Sequence, residues 1–267
     1  MGELYLDANG DKIGTFTGVA LRTRNIPHGQ GKMVYENNVM VYEGGWRHGL
    51  WDGYGRILKS SRGSSYEGQW KSNQKHGYGR TSSPSGNSYE GEYRFDKRHG
   101  TAVYRWHSGH EYNGQYLEGK RTGKGVLTLR NGSVYDGDFV EGKVNGFGTY
   151  TSEKGKFYKG YWKDGRYDGF GTCTWADGHR YRGEWRNGMQ HGQGTEIDSN
   201  GNIYRKGQWI NGCSDNNDFY DGEIAKLGKR LLKIPALSRK IDEEMDNDDD
   251  DDDDDDETDN GNDEMLM

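Results

Sequence analysis

Gly169-Phe170-Gly171-Thr172-Cys173-Thr174-Trp175-Ala176-Asp177-Gly178-His179-Arg180-Tyr181-Arg182-Gly183-Glu184-Trp185 decides the fold. It reads Gly-x-Gly, a short run, a turn with Gly, then Tyr-x-Gly-x-Trp. The Tyr of each copy falls at Tyr42, Tyr66, Tyr89, Tyr112, Tyr135, Tyr158, Tyr181 and Tyr204, a step of 24 and then 23 six times over. A fixed period of this length marks a repeat architecture. Asp177-Gly178 has the form of a two-residue type I′ hairpin turn, where Gly accepts positive φ. Ser85-Gly86, Ser108-Gly109, Asn131-Gly132, Lys154-Gly155 and Asn200-Gly201 are its equivalents. Each unit therefore reads as one β-hairpin.

Side chains alternate faces along a strand, so Tyr181, Gly183 and Trp185 share one face, and Arg182 and Glu184 the other. On the first strand Gly169, Gly171, Cys173 and Trp175 form one set. Gly normally weakens a strand; its recurrence here points to space for an aromatic ring lying across the backbone. Stacked units then give two aromatic columns: Tyr42, Tyr66, Tyr89, Tyr112, Tyr135, Tyr158, Tyr181 and Tyr204, beside Trp46, Trp70, Tyr93, Tyr116, Phe139, Trp162, Trp185 and Trp209. Each ring buries about 150–250 Å², enough for the columns to supply most of the core. Trp209, at the last unit, is expected to be less covered than Trp162.

Tyr66–Gly79, Tyr-Glu-Gly-Gln-Trp-x(5)-His-Gly-Tyr-Gly, resembles the MORN repeat (membrane occupation and recognition nexus). Tyr181–Gly194, Tyr-Arg-Gly-Glu-Trp-x(5)-His-Gly-Gln-Gly, matches as well, and the resemblance covers roughly residues 14–212. It implies a non-enzymatic scaffold for protein–protein or anionic-phospholipid association, in cytoskeletal or ciliary assemblies. The alternative it implies is a regulatory or targeting subunit for a separate enzyme such as a phosphatidylinositol phosphate kinase.

Leu, Ile, Val and Phe make up only 38 of 267 residues, a share that usually flags disorder. The 19 Tyr and 8 Trp, mostly in register, outweigh that flag: the core is aromatic rather than aliphatic. The net charge of −7 is unevenly divided. Residues 242–267 hold 17 acids and no Lys or Arg, which leaves 26 acids against 36 bases, a body of +10. Such a body suits anionic partners. Cys173 and Cys213 lie nearly two units apart, too far for a disulfide, and free thiols suit a reducing compartment. The N-terminus lacks the pattern of a signal peptide, and Leu6 stands where a myristoylation signal has Ser or Thr. The expected setting is cytoplasmic, with cytoskeletal, ciliary or peripheral membrane association.

Residues 1–13 read as an N-terminal cap, 14–212 as the repeat array, 213–241 as a capping helix region and 242–267 as a disordered poly-Asp tail. Asp7–Asp11 superficially has calcium-loop form, but Lys12 and Gly18 stand where that loop needs Gly and Glu. Ala102 replaces the second Gly of one copy, with little change expected. One residue inserted around Tyr204–Gly207 predicts a bulge, and the pattern is expected to stop after Gly212. Ile224, Leu227, Leu231 and Ile234 form a helical stripe, so Asp221–Lys233 reads as a short helix closing the array. Lys226, Lys229, Arg230 and Lys233 on it are candidate membrane or partner contacts.

No catalytic constellation emerges. His28, Asp52, His76, His99, Thr122, Asn145, Asp168 and His191 form a row, but neighbours one unit apart, about 10 Å, cannot share one metal ion. They read instead as turn residues bonding the next unit's backbone. His107-x-x-His110 has no third ligand. The Gly-x-Gly repeats lack the Lys-Ser/Thr ending and following helix of a phosphate loop, and no Ser sits in a nucleophile elbow. The sequence reads as all-β: an elongated single-sheet solenoid of about eight antiparallel hairpins, on the order of 75 Å long, with a short C-terminal helix and a disordered acidic tail. It is not an enzyme and carries no cofactor. Its protein partners are unidentified, an anionic membrane is a candidate partner, nucleic acid is disfavoured for want of a motif, and a homodimer is compatible with the sequence.

Overall fold

In the computed structural model the described residues are 3–6, 12–21, 26–35, 40–59 and 63–214. The chain divides into two compact units, residues 1–132 with 139–142, and residues 133–138 with 143–267. The first holds β1 (Glu3–Leu6), β2 (Lys12–Leu21), β3 (Ile26–Tyr35), β4 (Met40–Arg47), β5 (Leu50–Lys59), β6 (Ser64–Lys71), β7 (Gln74–Ser82), β8 (Ser88–Arg94), β9 (Lys97–Arg105), β10 (Glu111–Leu117) and β11 (Lys120–Thr128). β12 (Val134–Val140) is divided between the units. The second continues with β13 (Lys143–Thr151), β14 (Phe157–Lys163), β15 (Arg166–Thr174), β16 (Arg180–Arg186), β17 (Met189–Ile197), β18 (Ile203–Ile210) and β19 (Cys213–Ser214). Within each unit consecutive strands pair antiparallel.

The fold class needs one correction. The described residues contain strands and turns and no helix, so the short C-terminal helix is not found among them. The span Asp221–Lys233, the tail and the segment Asp7–Asp11 lie outside the described residues. Past Gly212 one short strand follows. Asn211 and Gly212 both take positive φ and turn the chain back, so that Cys213 and Ser214 pair with Ile210 and Trp209.

The turns also differ from expectation. Asp177 does not take positive φ; only Gly178 does, at 90°. Residues 175–179 form a wider loop, in which Gly178 N–H donates to the Trp175 carbonyl at 2.9 Å. The true two-residue I′ turns lie at the other end of each strand pair. Asn187 and Gly188 have φ of 50° and 83° between the paired Arg186 and Met189. His48, Glu118, Glu141 and Asp164 take the first position of such turns before Gly, all at positive φ. That conformation is strained for a residue with Cβ. Each turn is held by the preceding repeat: Gly188 N–H donates to Tyr167 O at 2.9 Å, and Gly142 N–H to Arg121 O at 2.9 Å.

The columns form as a clasp of ring on glycine. The Tyr158 hydroxyl donates to the carbonyl of Tyr161 at 2.9 Å, so its ring lies across Gly160 and its cross-strand partner Gly171. The same Tyr-to-carbonyl bond, three residues on, recurs from Tyr42 to Tyr181. Past the glycine pair the strands fall out of step: from Gly160–Gly171 to Trp162–Tyr167 one strand advances two residues and the other four. Trp162 then meets Tyr158 edge-on at 5.2 Å and donates through Nε1 to Gly148 O at 3.2 Å. Trp46, Trp70 and Trp185 make the matching bond.

Of the sixteen column positions, Tyr42, Trp46, Tyr66, Trp70, Tyr89, Tyr93, Tyr112, Tyr116, Tyr135, Phe139, Tyr158, Trp162, Tyr181, Trp185 and Trp209 are buried. Tyr204 is not: it is 47% exposed. The inserted residue bulges β18, so that Arg205 pairs with Glu196 while Ile203 pairs with Ile197, which skips Tyr204. Arg205 takes the place in register and pairs its guanidinium with Glu196 at 3.4 Å. Trp209, expected to be less covered, is fully buried.

Three outcomes test this packing. A methyl at Gly160 would stand 2.6 Å from the Tyr158 hydroxyl and 2.8 Å from the Phe170 carbonyl. At the position matching Gly171 the chain already carries the buried Ala102, with the Tyr89 hydroxyl still bonded to Glu92 O at 2.6 Å. Gly160→Ala should therefore cost about 2–3 kcal/mol, in the range of overpacked cores, and Gly171→Ala less; the reverse order of urea midpoints would contradict the clasp. Trp209→Ala should cost about as much as Trp162→Ala, roughly 3–5 kcal/mol, and a near-neutral Trp209→Ala would count against its burial.

The third outcome concerns pH. Burial pushes the Tyr112 phenol up to about 12, and those of Tyr66, Tyr89, Tyr135, Tyr158 and Tyr181 higher. In the unfolded chain phenols ionise near 10. Above that pH the unfolded chain releases protons that the folded chain keeps, so stability falls as pH rises through 10 towards 12 and beyond. Below about pH 9 these groups contribute no pH dependence. Tyrosinate absorbance from the column should appear together with loss of the β circular-dichroism signal. Ionisation of these phenols in a still-folded chain would refute their burial.

Candidate functional site

The core absorbs much of the chain's chemistry, including a third row that the repeat pattern alone did not reveal. In five repeats the residue two places after the tight turn lies over the ring of the column Tyr. Trp51 stacks on Tyr42 at 4.6 Å and 10°, and Tyr167 on Tyr158 at 3.7 Å and 12°. Where the residue is basic it lies over the ring as a cation: Lys75 over Tyr66 at 5.7 Å, Arg98 over Tyr89 at 5.6 Å and Arg121 over Tyr112 at 5.8 Å. Its signal in the sequence is a fixed offset from the turn, obscured because Trp, Tyr, Lys and Arg alternate there. Part of the positive charge of the body is thus spent on ring faces.

The row of His, Asp and Asn is structural in part. Asp168 accepts from Asn187 N–H at 3.1 Å, Asn145 from Asp164 N–H at 3.4 Å and His28 from His48 N–H at 3.4 Å. His76, His99 and His191 do not follow: their Nδ1 atoms have no hydrogen-bond partner among the described residues. A second row, Asn87, His110 and Ser133, does the same work at the wider loops. It accepts from His107, Arg130 and Glu153 N–H at 2.8, 3.1 and 3.0 Å. His110 of the His107-x-x-His110 pair is therefore a loop brace. Among the described residues no three His, Cys, Asp or Glu side chains come together as a metal site. Cys173 is buried and Cys213 exposed, both free; burial pushes the Cys173 thiol up to about 11, away from the reactive thiolate. Lys226, Lys229, Arg230 and Lys233 lie outside the described residues.

The face opposite the columns is where the repeats differ. At the step in register, the side chain just before each Trp-column residue caps the facing strand. Gln69 accepts from Tyr78 N–H at 3.4 Å, Glu92 from Thr101 at 3.3 Å, Gln115 from Lys124 at 2.9 Å, Asp138 from Phe147 at 2.9 Å and Glu184 from Gln193 at 3.1 Å. In the second unit Tyr161 occupies this position and has no carboxylate or amide to offer the Phe170 N–H. It is 52% exposed. It meets Phe147 edge-on at 5.4 Å, and Phe170, on the adjoining strand, is 50% exposed.

Three cations share this face of the sheet. Lys159 pairs across the sheet with Thr149 and Thr172, and Arg182 with Thr172. The Arg182 guanidinium lies 5.9 Å from the Phe170 ring, and Arg180 is next along its strand face. Among the described residues none of the three is in an ion pair. The corresponding face of the first unit is different: the exposed Tyr54 and Tyr78 donate to Glu67 and Glu90 at 2.9 and 3.1 Å, and Lys97 and Arg105 pair with Glu118 and Glu111. The second unit's face thus presents aromatic rings on the same side of the sheet as cations that are in no ion pair among the described residues.

Replacing Tyr161 by Gln restores the cap found in five other repeats. Tyr161→Gln should stabilise the chain by about 0.5–1.5 kcal/mol, the net worth of one hydrogen bond, seen as a higher urea midpoint. A destabilised variant would show that Tyr161 holds the fold rather than furnishing a surface.

The MORN repeat profile matches residues 23–40, 42–62, 66–88, 89–111, 112–134, 135–157, 158–180 and 181–203. No curated protein matches the chain. Among solved structures, the wild-type TCP10 domain of Danio rerio CPAP is 10% identical, with 78% of this chain and 100% of that one covered and a TM-score of 0.36. The SAS-4 (dCPAP) TCP domain of Drosophila melanogaster, in complex with a proline-rich motif of Ana2, is 13% identical over 72% of this chain and 98% of that one, with a TM-score of 0.38. At those scores the likeness carries no argument about function. The family profile does: eight consecutive matches, in the register that the Tyr–Gly clasp repeats, make this chain a member of the MORN-repeat family, a non-catalytic scaffold module.

Proposed function

We propose that this chain is a tethering scaffold that docks peripherally on an anionic phospholipid surface through the open face of its second unit. The observation that carries this reading is the exposed group Phe147, Tyr161 and Phe170 beside the unpaired Lys159, Arg180 and Arg182. Aromatic rings favour the boundary between headgroup and acyl chain, and each basic side chain near an anionic leaflet contributes about 1 kcal/mol. A sheet face, unlike a cleft, brings rings and cations to one plane together. The membership in a scaffold family supports a binding role without chemistry, and among the described residues no helix is long and apolar enough to cross a membrane.

Co-sedimentation of the full chain with vesicles tests this. Binding to phosphatidylcholine vesicles containing phosphatidylserine should exceed binding to phosphatidylcholine alone, and should weaken as salt rises past about 0.15 M, where the screening length is about 8 Å. Lys159→Glu with Arg182→Glu should lower the affinity at least about tenfold. Binding indifferent to salt, to lipid charge or to these two substitutions would overturn the reading.

A further inference from the structure

The same face has a complementary sequence on its own chain. Residues Asp248–Glu264 carry nine consecutive Asp followed by Glu257, Asp259, Asp263 and Glu264, with no Lys or Arg, and lead directly into Met265-Leu266-Met267. An acidic run beside three apolar side chains is the counterpart of three cations beside three exposed rings. We infer that the segment Asp248–Met267 occupies the aromatic–basic face of the second unit in cis, its acids on Lys159, Arg180 and Arg182 and its Met-Leu-Met on Phe147, Tyr161 and Phe170. The inference rests on the reading of this face as a docking surface, and assigns its regulation: an anionic ligand must displace the segment.

Three observations favour this occupant. The first is charge complementarity where cations remain available. In the first unit Lys97, Arg105 and Lys120 pair with acids; Lys159, Arg180 and Arg182 have no acidic partner among the described residues. The second is reach. Asp248 is 34 residues beyond Ser214, a contour of at most about 120 Å, whereas β14 lies five strands from β19, about 24 Å at the usual strand spacing. Tethering at that range corresponds to an effective concentration on the order of mM, so a weak contact is well populated. The third is apolar matching: thioethers pack favourably on aromatic rings, and the rings in question are uncovered by any described residue of the acidic-cap type.

Zero-length carbodiimide coupling on the full chain reads the contact directly, because it joins a Lys amine to a carboxylate only when the two touch. In the monomer fraction at low salt, mass spectrometry should find Lys159 coupled to acids within Asp248–Glu264, at least about fivefold more than Lys71 of the first unit, with the yield falling as salt screens the contact. Coupling spread evenly over the lysines, or found only in cross-linked dimers, overturns docking in cis. Replacing Met265, Leu266 and Met267 by Ser should cut the Lys159 yield several-fold, and an unchanged yield refutes the apolar half of the contact. A full chain with Asp248–Asp256 replaced by Asn should bind phosphatidylserine vesicles about tenfold more tightly than the natural sequence. If it does so although Lys159 never couples to the segment, the segment proposal alone fails. If Lys159 couples but neither chain binds vesicles, the membrane reading fails and the contact in cis stands.

Discussion

A tyrosine ring lying over two facing glycines, its hydroxyl bonded to a carbonyl three residues on, is the interaction on which the rest of this structure depends. The ring needs the glycine of its own strand: a Cβ at Gly160 would meet Tyr158 and the neighbouring backbone together, whereas under Tyr89 the facing glycine is Ala102 and the hydroxyl bond persists. The hydroxyl needs the carbonyl, since a buried phenol without a partner is costly. The bond draws the backbone out of step with its neighbour, and that step turns Trp162 edge-on against Tyr158. Column, register shift and second column are one event, repeated every 23 residues. This is how a chain with so few aliphatic residues acquires a core.

The clasp also sets where variation is free. Its inner side uses every position: ring, glycine, indole, and the cation or second ring that stacks on the Tyr. The strained I′ turns are offset by bonds to the preceding repeat, so the tight end is fixed as well. What remains is the outer face, whose side chains answer mainly to solvent. Most repeats use it conservatively, with a Gln, Glu or Asp capping the N–H exposed at the register step. Tyr161 gives up that cap and leaves a ring in its place, between Phe147 and Phe170. A local loss of hydrogen bonding in exchange for an exposed apolar group is a signature of a surface that meets something else.

Charge follows the same division. The body's excess of bases, read as a uniform +10, is not uniformly available. Arg121 is buried among rings, and Lys97 and Lys120 of the first unit pair with acids one repeat on. On the second unit's face Lys159, Arg180 and Arg182 are in no ion pair among the described residues. A docking surface here is therefore a matter of which cations are left over, and the total charge says little about it.

The sequence by itself determined the repeat, its hairpin character, the burial of the two columns and the bulge near Tyr204, because each follows from a 23-residue period and the two-residue alternation of a strand. It misplaced the I′ turns: Asp177-Gly178 has the favoured composition, but the bonds that select turn type come from loop length and from the repeat before it. It kept Tyr204 in the column because spacing is counted along the chain, whereas a bulge removes one residue from the count. The proposed docking face was illegible for a like reason. Phe147, Tyr161 and Phe170 lie on three strands and become neighbours only through cross-strand register, and the availability of Lys159 or Arg182 depends on which acids the folded sheet places nearby. Periodicity fixes what is the same in every repeat; tertiary structure decides what the exceptions meet.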